Sequence, residues 1–133
     1  MEPQSKPHEI PERAPDEVVS LPTAANQALI YRLSGDLNPL HVDPAVAADA
    51  TFPRPILHGL ATFGVAGRAV LASLCDNQPE RLRRLDARFA SPVFPGDAIR
   101  VEIRRGGNGR AAFRATVDAR EQVVLNNGYI EFS

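Results

Sequence analysis

The spacing of apolar residues changes along the chain, from helical in the first part to strand-like in the second. Residues 59–75, GLATFGVAGRAVLASLC, are apolar almost all round and are interrupted only by Arg68 and small residues. This pattern predicts a long helix that is buried rather than one that lies on a surface. Gly64 and Gly67 each cost about 1 kcal/mol in an exposed helix. We therefore expect a sheet to approach this helix closely at both glycines.

Two shorter helices are predicted before the long one. The first begins at Thr23, a good N-cap, and ends at Gly35, where a left-handed residue terminates a helix. The second begins with Asp43 as N-cap and Pro44 as first helical residue, and it continues to about Ala50. The run that joins it to the long helix contains two prolines and is predicted to be extended.

The last third of the chain contains only strand-like segments. They cover residues 85–94, 98–105, 111–119 and 123–132, and turn sequences rich in glycine or charged residues separate them. Helices followed by a strand meander indicate an α+β fold, in which helices pack on one face of an antiparallel sheet. Because one helix is long and apolar, we expect the sheet to wrap around it.

Composition narrows the classes of protein to consider. The chain has 133 residues, 44% of them apolar, which suits one domain with its own core. Its formal charge of −1 argues against nucleic-acid binding and against attachment to a membrane surface. The single cysteine, Cys75, excludes an intramolecular disulfide framework and a multi-cysteine zinc site. No apolar tract approaches the roughly 20 residues of a membrane span, and no signal peptide is visible, so we predict a cytoplasmic protein.

The N-terminal segment differs from the rest of the chain. Residues 1–22 contain five of the twelve prolines, from Pro3 to Pro22. Proline fixes φ and removes a hydrogen-bond donor, so we expect an extended segment with at most one short strand, at residues 18–21. The predicted organisation is therefore a proline-rich segment, 1–22, followed by a single domain, 23–133.

Residues 31–47 carry the candidate chemistry. They place Asp36 and His41 five residues apart on a loop, and Asn38-Pro39 forms a turn between them. A carboxylate and a neutral imidazole that share one water form an acid–base pair able to add or remove that water. An aspartate after a helix-ending glycine is also a common turn former, and the two residues alone leave both interpretations open.

The complete string resembles the signature of the MaoC-like, (R)-specific enoyl-CoA hydratase family. Ten of its positions fit, namely Tyr31, Leu33, Ser34, Gly35, Asp36, Asn38, Pro39, Leu40, His41 and Ala47. The resemblance continues through residues 55–64, into the long helix, and through residues 88–89 and 92–97.

The resemblance implies the hot-dog fold and the reversible hydration of trans-2-enoyl-CoA to (R)-3-hydroxyacyl-CoA. It makes Asp36 and His41 the catalytic pair, and it makes the backbone N–H of Gly59 a donor to the thioester oxygen. Asn38 and His58 are candidate substrate contacts, with a turn-forming and a packing role as their respective alternatives. Coenzyme A is then the substrate carrier, and neither a separate cofactor nor a metal is expected.

Other functions and assemblies are compatible with the same string. The motif also serves dehydratases that act on acyl carrier protein or on other acyl thioesters, and a non-catalytic acyl-CoA-binding subunit is the alternative of a different class. Family members occur as homodimers of single hot dogs or as two hot dogs fused in one chain. Because a lone hot dog leaves a sheet face and an edge uncovered, we predict a homodimer.

Overall fold

The computed structural model describes residues 6–133, which form an antiparallel sheet and three α-helices. The strands are β1 (Glu17–Pro22), β2 (Leu82–Phe89), β3 (Ala98–Gly107), β4 (Arg110–Val117) and β5 (Gln122–Phe132). The helices are α1 (Gln27–Tyr31), α2 (Pro44–Asp49) and α3 (Gly59–Leu74).

The sheet is curved around α3. Its strand order is β1-β3-β4-β5-β2, and all neighbouring strands are antiparallel. Helix α3 packs against β3 and also against β1 and β2, the two edge strands. A single helix touches both edges only when the sheet bends around it. The predicted α+β class and the hot-dog arrangement are therefore confirmed.

The core lies between α3 and the concave face of the sheet. Alternate residues of β3, Ile99, Val101 and Ile103, are completely buried, as a strand with one face in a core requires. The facing side of α3 presents small residues, so its backbone comes close to the sheet. Cys75, directly after α3, is fully buried, and burial raises the pKa of its thiol. It behaves as a small core residue, as its place in an apolar segment predicts.

One side of α3 faces outward, so the prediction of a helix buried all round is wrong for this chain. Leu60 is 64% exposed, and Gly64 and Arg68 lie along the same exposed side. An added Cβ at Gly67 would contact the Leu85 side chain at 3.5 Å, whereas one at Gly64 would meet nothing within 4 Å. The expected close approach of the sheet therefore holds at Gly67 only. Among residues 6–133, no helix combines the length and hydropathy needed to cross a membrane.

The N-terminal segment contacts the outer face of the sheet before it joins the edge. The Asn127 side-chain amide donates to the His8 carbonyl at 2.8 Å, and Arg104 Nε donates to the Arg13 carbonyl at 2.7 Å. The short strand expected at residues 18–21 is present as β1, which pairs with β3. Residues 1–5, including Pro3, lie outside the described residues, and the division into 1–22 and 23–133 stays a prediction.

Two predicted boundaries are wrong. Thr23 does not cap α1, because its hydroxyl donates to the Asp97 carbonyl at 2.7 Å and accepts from the Gly96 N–H; Asn26 precedes the helix instead. The strand predicted at 85–94 ends at Phe89. Residues 90–97 turn away from the sheet and form a loop, in which proline removes donors that a ladder would need.

Candidate active site

The backbone between α1 and α2 turns sharply at the predicted pair. Gly35 adopts a φ of +110°, a left-handed conformation that glycine tolerates and that ends the preceding 3₁₀ turn. The Asp36 carboxylate then accepts from the Asn38 N–H at 3.2 Å, and the Asn38 side-chain oxygen accepts from the Leu40 N–H at 3.0 Å. Asn38 is thus a turn former, and its substrate contact stays a prediction. These local hydrogen bonds fix the turn between Asp36 and His41.

The His41 ring is held by a backbone carbonyl. Its Nδ1 lies 2.8 Å from the carbonyl oxygen of Ile56. A carbonyl oxygen only accepts, so Nδ1 carries the hydrogen and Nε2 of a neutral ring has a free lone pair. The ring is half-buried, whereas Asp36 is exposed. His41 is therefore oriented with a proton-accepting nitrogen available for chemistry.

His58 connects the turn to the start of α3. It is only 2% exposed, and its Nε2 lies 3.1 Å from the Asp36 carbonyl oxygen. Its ring stacks on that of His41, with the two centroids 3.8 Å apart. The centroid of the Tyr31 ring lies 4.7 Å from that of the His58 ring. These contacts are those of a packed residue that holds the loop, which was the alternative to a substrate contact.

The fold brings three predicted side chains to one place. Asp36, His41 and His58 each offer a polar atom, and these atoms lie within 4.8 Å of one another. Such a group has the residue types and spacing to hold a metal ion. Each ring donates from one nitrogen to a carbonyl, so only its other nitrogen is free to bind a metal. The expectation of no metal stays a prediction.

Gly59 is the first residue of α3, so its N–H has no partner within the helix. In the part of the chain described, residues 6–133, this N–H forms no hydrogen bond. The free N–H and the helix dipole make this position suitable for an oxygen that gains negative charge. His58, which contacts both Asp36 and His41, immediately precedes Gly59. This one residue therefore connects the Asp36–His41 pair to the Gly59 N–H.

An apolar pocket of about 290 Å³ adjoins Gly59. Its walls include Phe52, Ile56 and Val93, with Phe89 beside Gly59. A Cβ added at Gly59 would lie 3.1 Å from the Phe89 ring. A larger cavity of about 940 Å³, between residues 6–9 and the strands β2 and β5, contains none of the predicted site residues. The smaller pocket is the relevant one, because it reaches the predicted donor.

Phe89 is a site residue that the sequence pattern did not reveal. It is 63% exposed at the end of β2, yet its ring covers the start of α3. Local sequence places Phe89 only inside a predicted strand, 85–94. Its closeness to Gly59 depends on how β2 and α3 pack.

The hydrogen bonds to carbonyls predict the tautomers of both neutral imidazoles. We expect His41 in the Nδ1–H form and His58 in the Nε2–H form, because each of these nitrogens must donate. Nitrogen-15 NMR of histidine-labelled protein at alkaline pH distinguishes the two forms. His8, an exposed histidine, is the internal reference. The opposite tautomer at either ring would contradict the described geometry.

Comparison with known proteins identifies relatives of this chain. Residues 6–127 match the family described as the MaoC-like domain. The 3-hydroxyacyl-thioester dehydratase Y of Mycobacterium tuberculosis is 50% identical over 129 residues, which cover 93% of this chain and 44% of that protein. The probable enoyl-CoA hydratase 2 of Dictyostelium discoideum is 43% identical over 128 residues, 95% of this chain and 44% of that protein.

A solved structure of a protein from the same family is also similar to this chain. The crystal structure of a MaoC-like dehydratase from Phytophthora capsici superposes with a TM-score of 0.96 and 38% identity, over 99% of this chain and 45% of that one. The chain thus spans less than half the length of these relatives. The family match covers nearly all of it, and the chain belongs to the MaoC-like dehydratase family.

Proposed function

We propose that this chain carries the active site of a hydro-lyase that reversibly hydrates trans-2-enoyl-CoA to (R)-3-hydroxyacyl-CoA. The observation that carries the proposal is the convergence of Asp36 and His41, joined through His58 to the unpartnered N–H of Gly59. Family membership and the names of the relatives, a hydratase and a dehydratase, support the same reaction class.

The proposed mechanism uses the pair and the N–H donor together. A water held between the Asp36 carboxylate and His41 Nε2 loses a proton to the pair as its oxygen bonds to C3 of the enoyl thioester. Electron density moves onto the thioester oxygen, where the Gly59 N–H donates a hydrogen bond. The pair then returns a proton to C2. Because the two groups act as a unit, the mechanism assigns that proton to the pair rather than to one residue.

The apolar surroundings of the site support an acyl thioester as the class of substrate. The apolar pocket beside Gly59 suits the hydrocarbon part of an acyl thioester. Coenzyme A is the proposed carrier, with no additional cofactor. A carrier-protein thioester is the second candidate, since the name of the Mycobacterium relative specifies a 3-hydroxyacyl thioester without its carrier. Parallel assays with crotonyl-CoA and crotonyl acyl carrier protein separate the two.

An assay with crotonyl-CoA tests the function. Hydration is measured as the loss of the absorbance of the enoyl thioester. We expect Asp36→Asn and His41→Ala each to lower turnover by at least about 10²-fold, the effect of losing an acid–base partner. Asp43→Asn is the matched control, because Asp43 caps α2 by accepting from the Ala45 N–H and asparagine caps equally well. A wild-type chain that hydrates neither thioester contradicts the proposal, and near-normal activity of either site variant contradicts the assignment of the pair.

The backbone donor has its own prediction. Gly59→Val places a branched side chain where the thioester must approach, and we expect turnover to fall by about 10² to 10³ while the unfolding midpoint changes far less. Since the Phe89 ring lies 3.1 Å from the position of an added Cβ, displacement of that ring is the competing cause.

The double variant Gly59→Val/Phe89→Ala separates the two causes. If the loss arises at the N–H donor, Gly59→Val still lowers turnover in the Phe89→Ala background. If it arises from the displaced ring, the double variant has the turnover of Phe89→Ala alone. Unfolding of Gly59→Val, or parent rates for both Gly59→Ala and Gly59→Val, would support a packing role for the glycine.

We also propose that a second hot dog, in the simplest case a second copy of this chain, covers the outward side of α3. Support comes from large apolar side chains that are exposed on α3, at the end of β2 and in and after α1, namely Leu60, Phe89, Leu29, Ile30, Leu33 and Leu37. The proposed cytoplasmic location rests on the sequence alone.

Light scattering at micromolar concentration tests the assembly. We expect the mass of a dimer, or of a larger even assembly, and a shift toward the monomer for Leu60→Lys, because a charge at the covered face opposes association. A mass near 14.4 kDa for the unaltered chain would contradict the proposal.

A further inference from the structure

The start of α3 is held by the loop of residues 90–97. The Val93 carbonyl accepts from the Leu57 N–H at 2.7 Å, and Leu57 lies two residues before Gly59. Val93 and Leu57 also form part of the wall of the apolar pocket. The position of the Gly59 N–H therefore depends on the position of this loop.

The Arg120 guanidinium holds the loop on both sides of Val93. Its Nη1 donates to Asp97 Oδ2 at 2.7 Å, and its Nη2 donates to the Pro92 carbonyl at 3.1 Å. The same Asp97 oxygen accepts from the Phe94 N–H at 2.7 Å. The guanidinium also lies 4.8 Å from the centroid of the Phe94 ring. One side chain thus fixes both ends of the short segment that carries the Val93 carbonyl.

The Arg120–Asp97 pair is shielded from water. The Asp97 side chain is 10% exposed and that of Arg120 is 27% exposed. Charge-assisted hydrogen bonds in such surroundings constrain geometry more strongly than exposed ion pairs do. Arg54 also contacts Phe94 and donates to the Pro95 carbonyl. Loss of Arg120 therefore loosens the loop without releasing it completely.

We propose that Arg120 and Asp97 are positioning residues for the hydration site. They fix the loop, the loop fixes Leu57 through the Val93 carbonyl, and Leu57 fixes the start of α3, so that the Gly59 N–H stays aimed at the thioester oxygen. The inference rests on the proposed function.

Kinetics of Arg120→Gln test the inference. We expect kcat for crotonyl-CoA to fall about tenfold with KM changed less than about threefold, because the donor acts mainly in the transition state. Arg105→Gln is the matched control: Arg105 pairs with Glu17 where β3 meets β1, and neither residue contacts the loop. Its kcat should stay within about twofold of the parent, even if its unfolding midpoint falls equally.

A double variant tests the route through Gly59. In a Gly59→Val background, Arg120→Gln should change kcat by less than about twofold, since residues that act through one another are not additive. If Arg120→Gln does not fold, Arg120→Lys and Asp97→Asn take its place, and we expect smaller losses of kcat of the same kind. Three results would overturn the inference. They are a parent-level kcat in these variants, a full tenfold additive loss in the double variant, and an equal loss of kcat in Arg105→Gln.

Amide hydrogen exchange supplies a readout that does not depend on activity. Arg120→Gln should accelerate exchange of the Leu57 N–H about tenfold, and Arg105→Gln should leave it unchanged, because only the first loosens the Val93 carbonyl. Unchanged exchange at Leu57 would overturn the inference even if the protein is a hydratase. An inactive parent chain with the expected exchange would instead overturn the proposed function.

Discussion

The site depends on one buried imidazole. His58 donates to the Asp36 carbonyl, stacks on His41 and directly precedes Gly59, so the turn of residues 36–41 and the start of α3 meet at its ring. Without it, the Asp36 carbonyl loses its donor and the rings of His41 and Tyr31 lose their common neighbour. The acid–base pair and the helix N-terminus are therefore one packed unit rather than two independent features.

The surroundings of this unit change from water to core over a short distance. Asp36 is exposed, His41 is half-buried and His58 is buried. The exposed side allows water to reach the pair, whereas the opposite side continues into an apolar pocket next to Gly59. A covering hot dog would exclude bulk water from this region. Hydrogen bonds to a developing negative charge are stronger in such a site than in water.

Much of the local structure follows from the sequence alone. Gly35 in a left-handed conformation, Asp43 and Pro44 at the start of α2, and the extent of α3 all result from interactions between near neighbours. Such interactions depend on residue type and spacing, and a single sequence displays both. The turn that brings Asp36 and His41 together is of this kind, since its hydrogen bonds span only two residues each.

The tertiary structure determined the long-range hydrogen-bond partners of individual residues. Thr23 binds the Asp97 carbonyl instead of capping a helix, and Arg120 reaches Asp97 across 23 positions of the chain. The outward side of α3 is also a property of the packed sheet, because helical periodicity identifies no apolar residue as exposed when nearly every position is apolar. The sequence by itself therefore determined the α+β class and the turn, which rest on apolar periodicity and local hydrogen bonds, whereas the choice of Asp36 and His41 as the candidate pair rests on the family resemblance. Long-range hydrogen bonds decided the rest, because their partners meet only after the sheet has closed around the helix.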